Sequence, residues 1–118
     1  MTDTRTYDVA GATLTVTLAL SVHTISIAMT LDVAALDTNE PDHSSHNLIE
    51  YVSPLLSPTW TSWQTHYWCK LHRANITCKS GSQARRIREH AITKLADVIS
   101  QAQLDRARRK AEMAVAIA

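Results

Sequence analysis

Residues 13–33 read TLTVTLALSVHTISIAMTLDV. Apolar side chains fall on even positions from Leu14 to Val22, then on odd positions from Ile25 to Val33. A period of two is the signature of a strand, whose successive side chains point to opposite faces. The parity changes between His23 and Thr24. A hairpin folded there sets Val22 against Ile25, Leu20 against Ile27, Leu18 against Met29, Val16 against Leu31 and Leu14 against Val33. Every pair is apolar on apolar, and the other face is Thr, Ser, Ala and Asp. His-Thr is a poor two-residue turn because neither residue favours positive φ. A bulge in one long strand is the competing reading, and the hairpin is preferred.

Downstream, residues 37–46, DTNEPDHSSH, read as a polar loop. Asn47 is placed to cap a short helix, with Glu50 as the reciprocal member. Pro54 and Pro58 limit that helix to one or two turns. Residues 60–78, WTSWQTHYWCKLHRANITC, admit two readings. As a helix, Trp60, Trp63, Tyr67 and Leu71 make a stripe after a Ser57-Pro58 start. As a strand, the density of Thr, Trp and Tyr suits a pleated surface. A turn centred on Arg73-Ala74 would then pair Leu71 with Ile76 and Cys69 with Cys78. The strand is preferred, and it predicts the two sulfurs within bridging reach.

From Ser82, a cap after Gly81, the pattern is helical. Ala84, Ile87, Ala91, Leu95, Val98 and Ala102 form one stripe, widened by Ile92 and Ile99. Asp105, Arg106 and Arg109 interrupt it before it returns at Met113 and Ile117. One helix over 83–117 would be about 52 Å long at 1.5 Å per residue. A compact domain of this size spans roughly 35 Å. The helix is therefore expected to overhang its sheet from near Asp105, unless a kink near Gln103-Leu104 returns it. A second copy of the chain is expected to cover the apolar tail, giving a homodimer or higher oligomer. The fold reading is a single α+β domain over 1–118: an antiparallel sheet from two hairpins (13–33 and 60–79), with a long C-terminal helix (83–117) packed on one face.

Composition narrows the function classes. The chain has 118 residues, 45% of them hydrophobic, so a core is affordable only for one domain. Only two glycines occur, Gly11 and Gly81, and no GxGxxG, GxxxxGK[ST] or GxSxG is present. Residues 9–31 lack Asp, Glu, Lys and Arg, but their Thr and Ser alternation is unlike an all-round apolar spanning helix. No membrane association is expected. No basic n-region opens the chain, so a cytoplasmic location is expected. The net charge of +1 hides a split. Residues 1–50 hold seven acids against Arg5, a net −6, and residues 51–118 sum to +7. The halves either neutralise each other or give a face for an acidic partner or nucleic acid.

His66, Cys69, His72 and Cys78 have zinc-ligand chemistry in an H-x2-C-x2-H-x5-C spacing that fits no common site. On a strand His66 and His72 face away from Cys69, so neither a metal site nor a Cys–His nucleophile is expected. No cofactor is expected. Two free thiols are preferred to a disulfide. Asp42, His43, His46 and Glu50 form a second polar cluster, read as a loop running into a cap.

The leading reading is a small non-enzymatic binding protein, an oligomerising interaction module such as an adaptor or a stoichiometric inhibitor of a larger protein. Its expected surface is Trp60, Trp68, His66, Lys70 and Lys79, and an acidic protein partner is expected in view of the basic half. The alternative is nucleic-acid binding by Arg85, Arg86, Arg88, Arg106, Arg108, Arg109 and Lys110. A metal- or thiol-dependent enzyme ranks third. Six histidines would raise the formal charge from +1 to +7 if all protonate, tightening acidic-partner binding below about pH 6.5.

Overall fold

The computed structural model describes residues 1–38 and 46–117, the side chain of residue 117 apart. The expected loop 37–46 therefore falls mostly outside the described residues, as do Asp42 and His43. Five antiparallel strands, β1 (Thr2–Val9), β2 (Ala12–Leu20), β3 (Ile25–Asp32), β4 (Gln64–His66) and β5 (Leu71–Cys78), form one sheet in the order β1-β2-β3-β5-β4. Helix α1 (Leu48–Leu56) follows β3, and α2 (Gly81–Ile117) closes the chain. The sheet with a long C-terminal helix packed on it is the α+β arrangement that the sequence predicts.

The central hairpin is present with a two-residue shift in register. Leu20 pairs with Ile25, Leu18 with Ile27, Val16 with Met29 and Leu14 with Leu31. A shift of two keeps every side chain on its own face, so the apolar pattern cannot distinguish the registers. The turn distinguishes them. His23-Thr24 cannot supply positive φ, and a wider loop, Ser21–Thr24, replaces it. The Ser21 N–H donates to the Thr24 carbonyl at 2.9 Å, and the Thr24 N–H donates to Ser21 Oγ at 3.1 Å. Val22 is left 91% exposed.

Strand β1 has no apolar alternation to announce it. It joins β2 through Ala10-Gly11, both at positive φ (51° and 90°), the arrangement of a type I′ turn. The Gly11 N–H donates to Asp8 Oδ1 at 3.0 Å.

The second hairpin exists, but not in the predicted register. Arg73 and Ala74 lie inside β5, and β4 pairs Gln64 with Arg73, Thr65 with His72 and His66 with Leu71. The reversal is a 3-10 turn at Tyr67–Cys69 that ends on Lys70 in the left-handed region (φ 53°). Cys69 precedes β5 and Cys78 ends it, so about 23 Å of strand separates them at roughly 3.3 Å per residue. The expected Cys69–Cys78 pairing is thus wrong, and both thiols are free.

Helix α1 runs through Pro54 and ends at Leu56, longer than the proline pattern implies. Pro54 is exposed near the C-terminal end, where the carbonyl it strips of a partner can meet water. Asn47 makes no side-chain cap hydrogen bond there.

Helix α2 begins one residue before the predicted cap. The Gln83 N–H donates to Ser80 Oγ at 3.1 Å, and the Lys79 N–H donates to Gln83 Oε1 at 2.6 Å, a variant of the capping box. The predicted stripe is the buried one: Ala84, Ala91, Leu95, Val98, Ile99 and Ala102 face the sheet and α1. The helix does not fold back near Leu104. Its 37 residues span about 55 Å, which sets the long dimension of a 62 × 21 × 20 Å molecule. All described residues from 107 to 116 are exposed.

The β1–β2 turn offers a direct check. A Cβ on Gly11 would sit 2.8 Å from Leu36 Cδ2, at a φ that L side chains rarely adopt. Gly11→Ala should destabilise by about 1–2 kcal/mol in urea unfolding. Ala10→Asn should stabilise by up to about 1 kcal/mol, because Asn tolerates the left-handed position.

Candidate binding surfaces

One buried ion pair decides which cations are free to bind anything. Asp37 ends the 3-10 turn after β3, and its side chain is fully buried. Arg106 Nη1 of α2 donates to Asp37 Oδ1, and Arg106 Nη2 donates to the Leu36 carbonyl at 3.3 Å. The Leu48 N–H donates to Asp37 Oδ2 at 2.7 Å. Asp37 thus caps α1 in place of Asn47, where a negative charge also suits the helix dipole. Lys70 Nζ donates to the Asp37 carbonyl at 3.4 Å. The left-handed turn at Lys70 aims its side chain inward, and the residue is 7% exposed.

Two expected surface cations, Lys70 and Arg106, are therefore corrected to internal positions. Lys79 stays exposed beyond β5. The other basic residues form two groups. Arg85 and Arg86 are exposed and Arg88 half-exposed in the first turns of α2. Arg108, Arg109 and Lys110 are exposed on the overhang, with Arg108 Nη2 3.3 Å from Asp105 Oδ1. From Arg86 to Arg109 is about 35 Å of helix. The seven predicted phosphate contacts do not form one footprint.

The expected aromatic surface also divides. Trp60 sets its ring edge-on to His90 of α2, centroids 4.8 Å apart. Trp68, 70% exposed, lies instead with His66, centroids 6.0 Å apart. By register His66 shares the outer face of the sheet with Gln64, Leu71 and Arg73, the face opposite α2. That face continues across β3, β2 and β1 through Thr30, Thr15, Thr6 and their neighbours. None of its side chains is buried. Short hydroxyl side chains and one margin of Trp68, His66 and Leu71 make a flat, uncovered surface.

The groups with zinc-ligand or thiol chemistry do not converge. Cys69 is exposed in the turn and Cys78 is buried at the far end of β5, where burial pushes its thiol pKa up. His66 is on the outer face and His72 on the inner. No group of three potential metal ligands exists among the described residues. A cleft of about 560 Å³ lies between α1 and β4, lined by hydroxyls of Ser53, Ser57, Thr61, Ser62 and Thr65 beside Trp63. No ionisable side chain lines it. No helix among the described residues is long and apolar enough to cross a membrane. The chain matches no protein-family model, no curated protein and no solved structure.

His72 is the histidine with a decisive environment. It is fully buried, its Nδ1 lies 3.3 Å from Thr65 Oγ1, and its Nε2 has no hydrogen-bond partner. Burial lowers its pKa from 6.5 to about 4. His72 thus stays neutral at pH 5.5, and full protonation of the other five would take the formal charge to +6, not +7. The unfolded chain binds this proton at about pH 6.5 and the folded chain does not, so acid favours unfolding between pH 6.5 and 4. Between pH 7 and pH 5 this site should remove about 2 kcal/mol of stability. Urea unfolding at both pH values checks it: the loss should be smaller by that amount in His72→Leu, and an equal loss in both proteins would refute the assignment.

Proposed function

We propose that the chain is a non-enzymatic protein-interaction module of the adaptor or stoichiometric-inhibitor type, with the overhanging end of α2 as its docking element. The observation that carries this reading is ten consecutive helical residues, 107–116, all exposed. Isolated helices of that length are marginal in water, and none of the described side chains of this segment is buried by its own fold. Met113 is 38% and Val115 78% exposed, with Leu104 at 66% just before them. A second protein that covers this segment recovers roughly 1.5–3 kcal/mol for each large side chain it buries.

Arg108, Arg109 and Lys110 against Glu112 give the segment a net +2, which favours an acidic protein partner. Trp68 and His66 at the sheet margin supply a second anchor of the residue type that dominates interfaces. The exposed thiol of Cys69 suits a reducing, cytoplasmic setting. Nucleic-acid binding is the weaker reading, because Arg106 is withdrawn and the remaining cations form two distant groups. In the native host, a photo-crosslinking residue at Val115 should give a discrete protein adduct. A label at Thr93, exposed on the packed part of α2, should not. The adduct should fall at least tenfold when Arg108, Arg109 and Lys110 become Ala. Equal labelling from both positions, or adducts to nucleic acid alone, would contradict the proposal.

A further inference from the structure

Strand β1 is one edge of the sheet, and its free side is a regular row of hydrogen-bonding groups. The Leu20 N–H donates to the Met1 carbonyl at 2.9 Å. Antiparallel pairing alternates, so Asp3, Arg5, Tyr7 and Val9 also direct their N–H and C=O toward β2. Thr2, Thr4, Thr6 and Asp8 then direct theirs away from the sheet. The eight pairs of β1 with β2 run without a bulge, and β1 contains no Pro and no Lys. Bulges and proline, two of the usual guards against edge pairing, are therefore missing, and the charges that β1 carries, Asp3 and Arg5 on the inner face and Asp8 on the outer, must be matched by whatever pairs with it. At the other edge the three-residue β4 pairs only with Leu71, His72 and Arg73, and the edge passes to β5 beyond them.

We propose that β1 pairs antiparallel with β1 of a second copy, about a twofold axis through Thr4, joining two sheets into one of ten strands. The axis stands perpendicular to the sheet, so opposed residues must share a face and differ by an even number. Four centres are then possible near the middle of the strand. A centre on Arg5 opposes Arg5 to itself, and one on Asp3 opposes Asp3 to itself. A centre on Thr6 sets Arg5 against Tyr7. A centre on Thr4 sets Asp3 of each copy against Arg5 of the other, at a pair where side chains approach most closely. Thr4 then meets Thr4, and Thr2 meets Thr6, at the positions whose N–H and C=O are free, giving about six backbone hydrogen bonds. Asp3 and Arg5 already lie 3.3 Å apart within one strand, both exposed, so the dimer extends an existing pair into a four-charge cluster. Opposite charges at the central non-hydrogen-bonded pairs fix the register as well as the partner.

Analytical ultracentrifugation of the full chain from 5 to 500 μM tests this. The wild type should dimerise. Thr4→Pro removes an outward N–H that β2 does not use, and should weaken the dimer at least tenfold while the circular dichroism spectrum is kept. Asp3→Arg and Arg5→Asp should each weaken self-association at least tenfold, and an equimolar mixture of those two variants should restore it as a heterodimer. A chain ending at Ala107 should still dimerise, which separates this edge from the overhanging helix. A wild type monomeric at 500 μM would overturn the proposal. So would a dimer indifferent to Thr4→Pro and to both charge reversals, or one lost on truncation at Ala107.

Discussion

The buried carboxylate of Asp37 is the point through which most of the molecule is tied together. Removing a carboxylate from water costs several kcal/mol, so it is stable only where partners surround it. Here one oxygen takes the Arg106 guanidinium and the other takes the first N–H of α1. Lys70 binds the carbonyl of the same residue. The turn after β3, the start of α1, the β4–β5 connection and α2 thus meet at one acid. This also explains part of the charge division between the two halves of the sequence: Asp37 comes from the acidic half, and Arg106 and Lys70 from the basic half.

The same pair sets the boundary between what α2 does for the fold and what it leaves exposed. Up to Ala102 the helix is held by apolar burial, and Arg106 fastens its last internal turn. Beyond it no apolar stripe returns to the sheet, and the helix continues straight into solvent. The overhang is therefore a consequence of length and of where the last internal contact falls. The uncovered outer face has a parallel origin, since both helices lie on the inner side of the sheet.

Local periodicity carried most of the fold. The alternation in 13–33 and the stripe from Ala84 to Ala102 each report a buried face, and both elements form where the pattern puts them. Patterns fail where the same burial fits two arrangements. The central hairpin slid by two residues because only the turn distinguished the registers. Strand β1 was missed because its inner face is apolar only at Tyr7 and Val9, too short an alternation to read, and its turn is Ala-Gly in place of the stronger Asn-Gly signal. The Cys69–Cys78 symmetry had no energetic basis, and the second hairpin reversed five residues earlier. Asp37 looked like the start of a polar loop, and Arg106 and Lys70 like surface charge. They are 69 and 33 residues from Asp37 in sequence, so no local spacing could join them. Trp60 and Trp68 are both exposed, but Trp60 lies against His90 of α2 and Trp68 beside the half-buried His66, so the two do not share one surface.

The claim that Asp37 and Arg106 act as one unit is tested by a double-mutant cycle in urea with Asp37→Asn, Arg106→Ala and both together. Asn keeps an oxygen for the Leu48 N–H, so the cycle isolates the ion pair. Each single change should cost about 3 kcal/mol, because it strands the other charge. The double variant should cost at least ~2 kcal/mol less than the two together, since no charge is then left unpaired. Costs that add to within about 0.5 kcal/mol would show that the pair does not hold the fold.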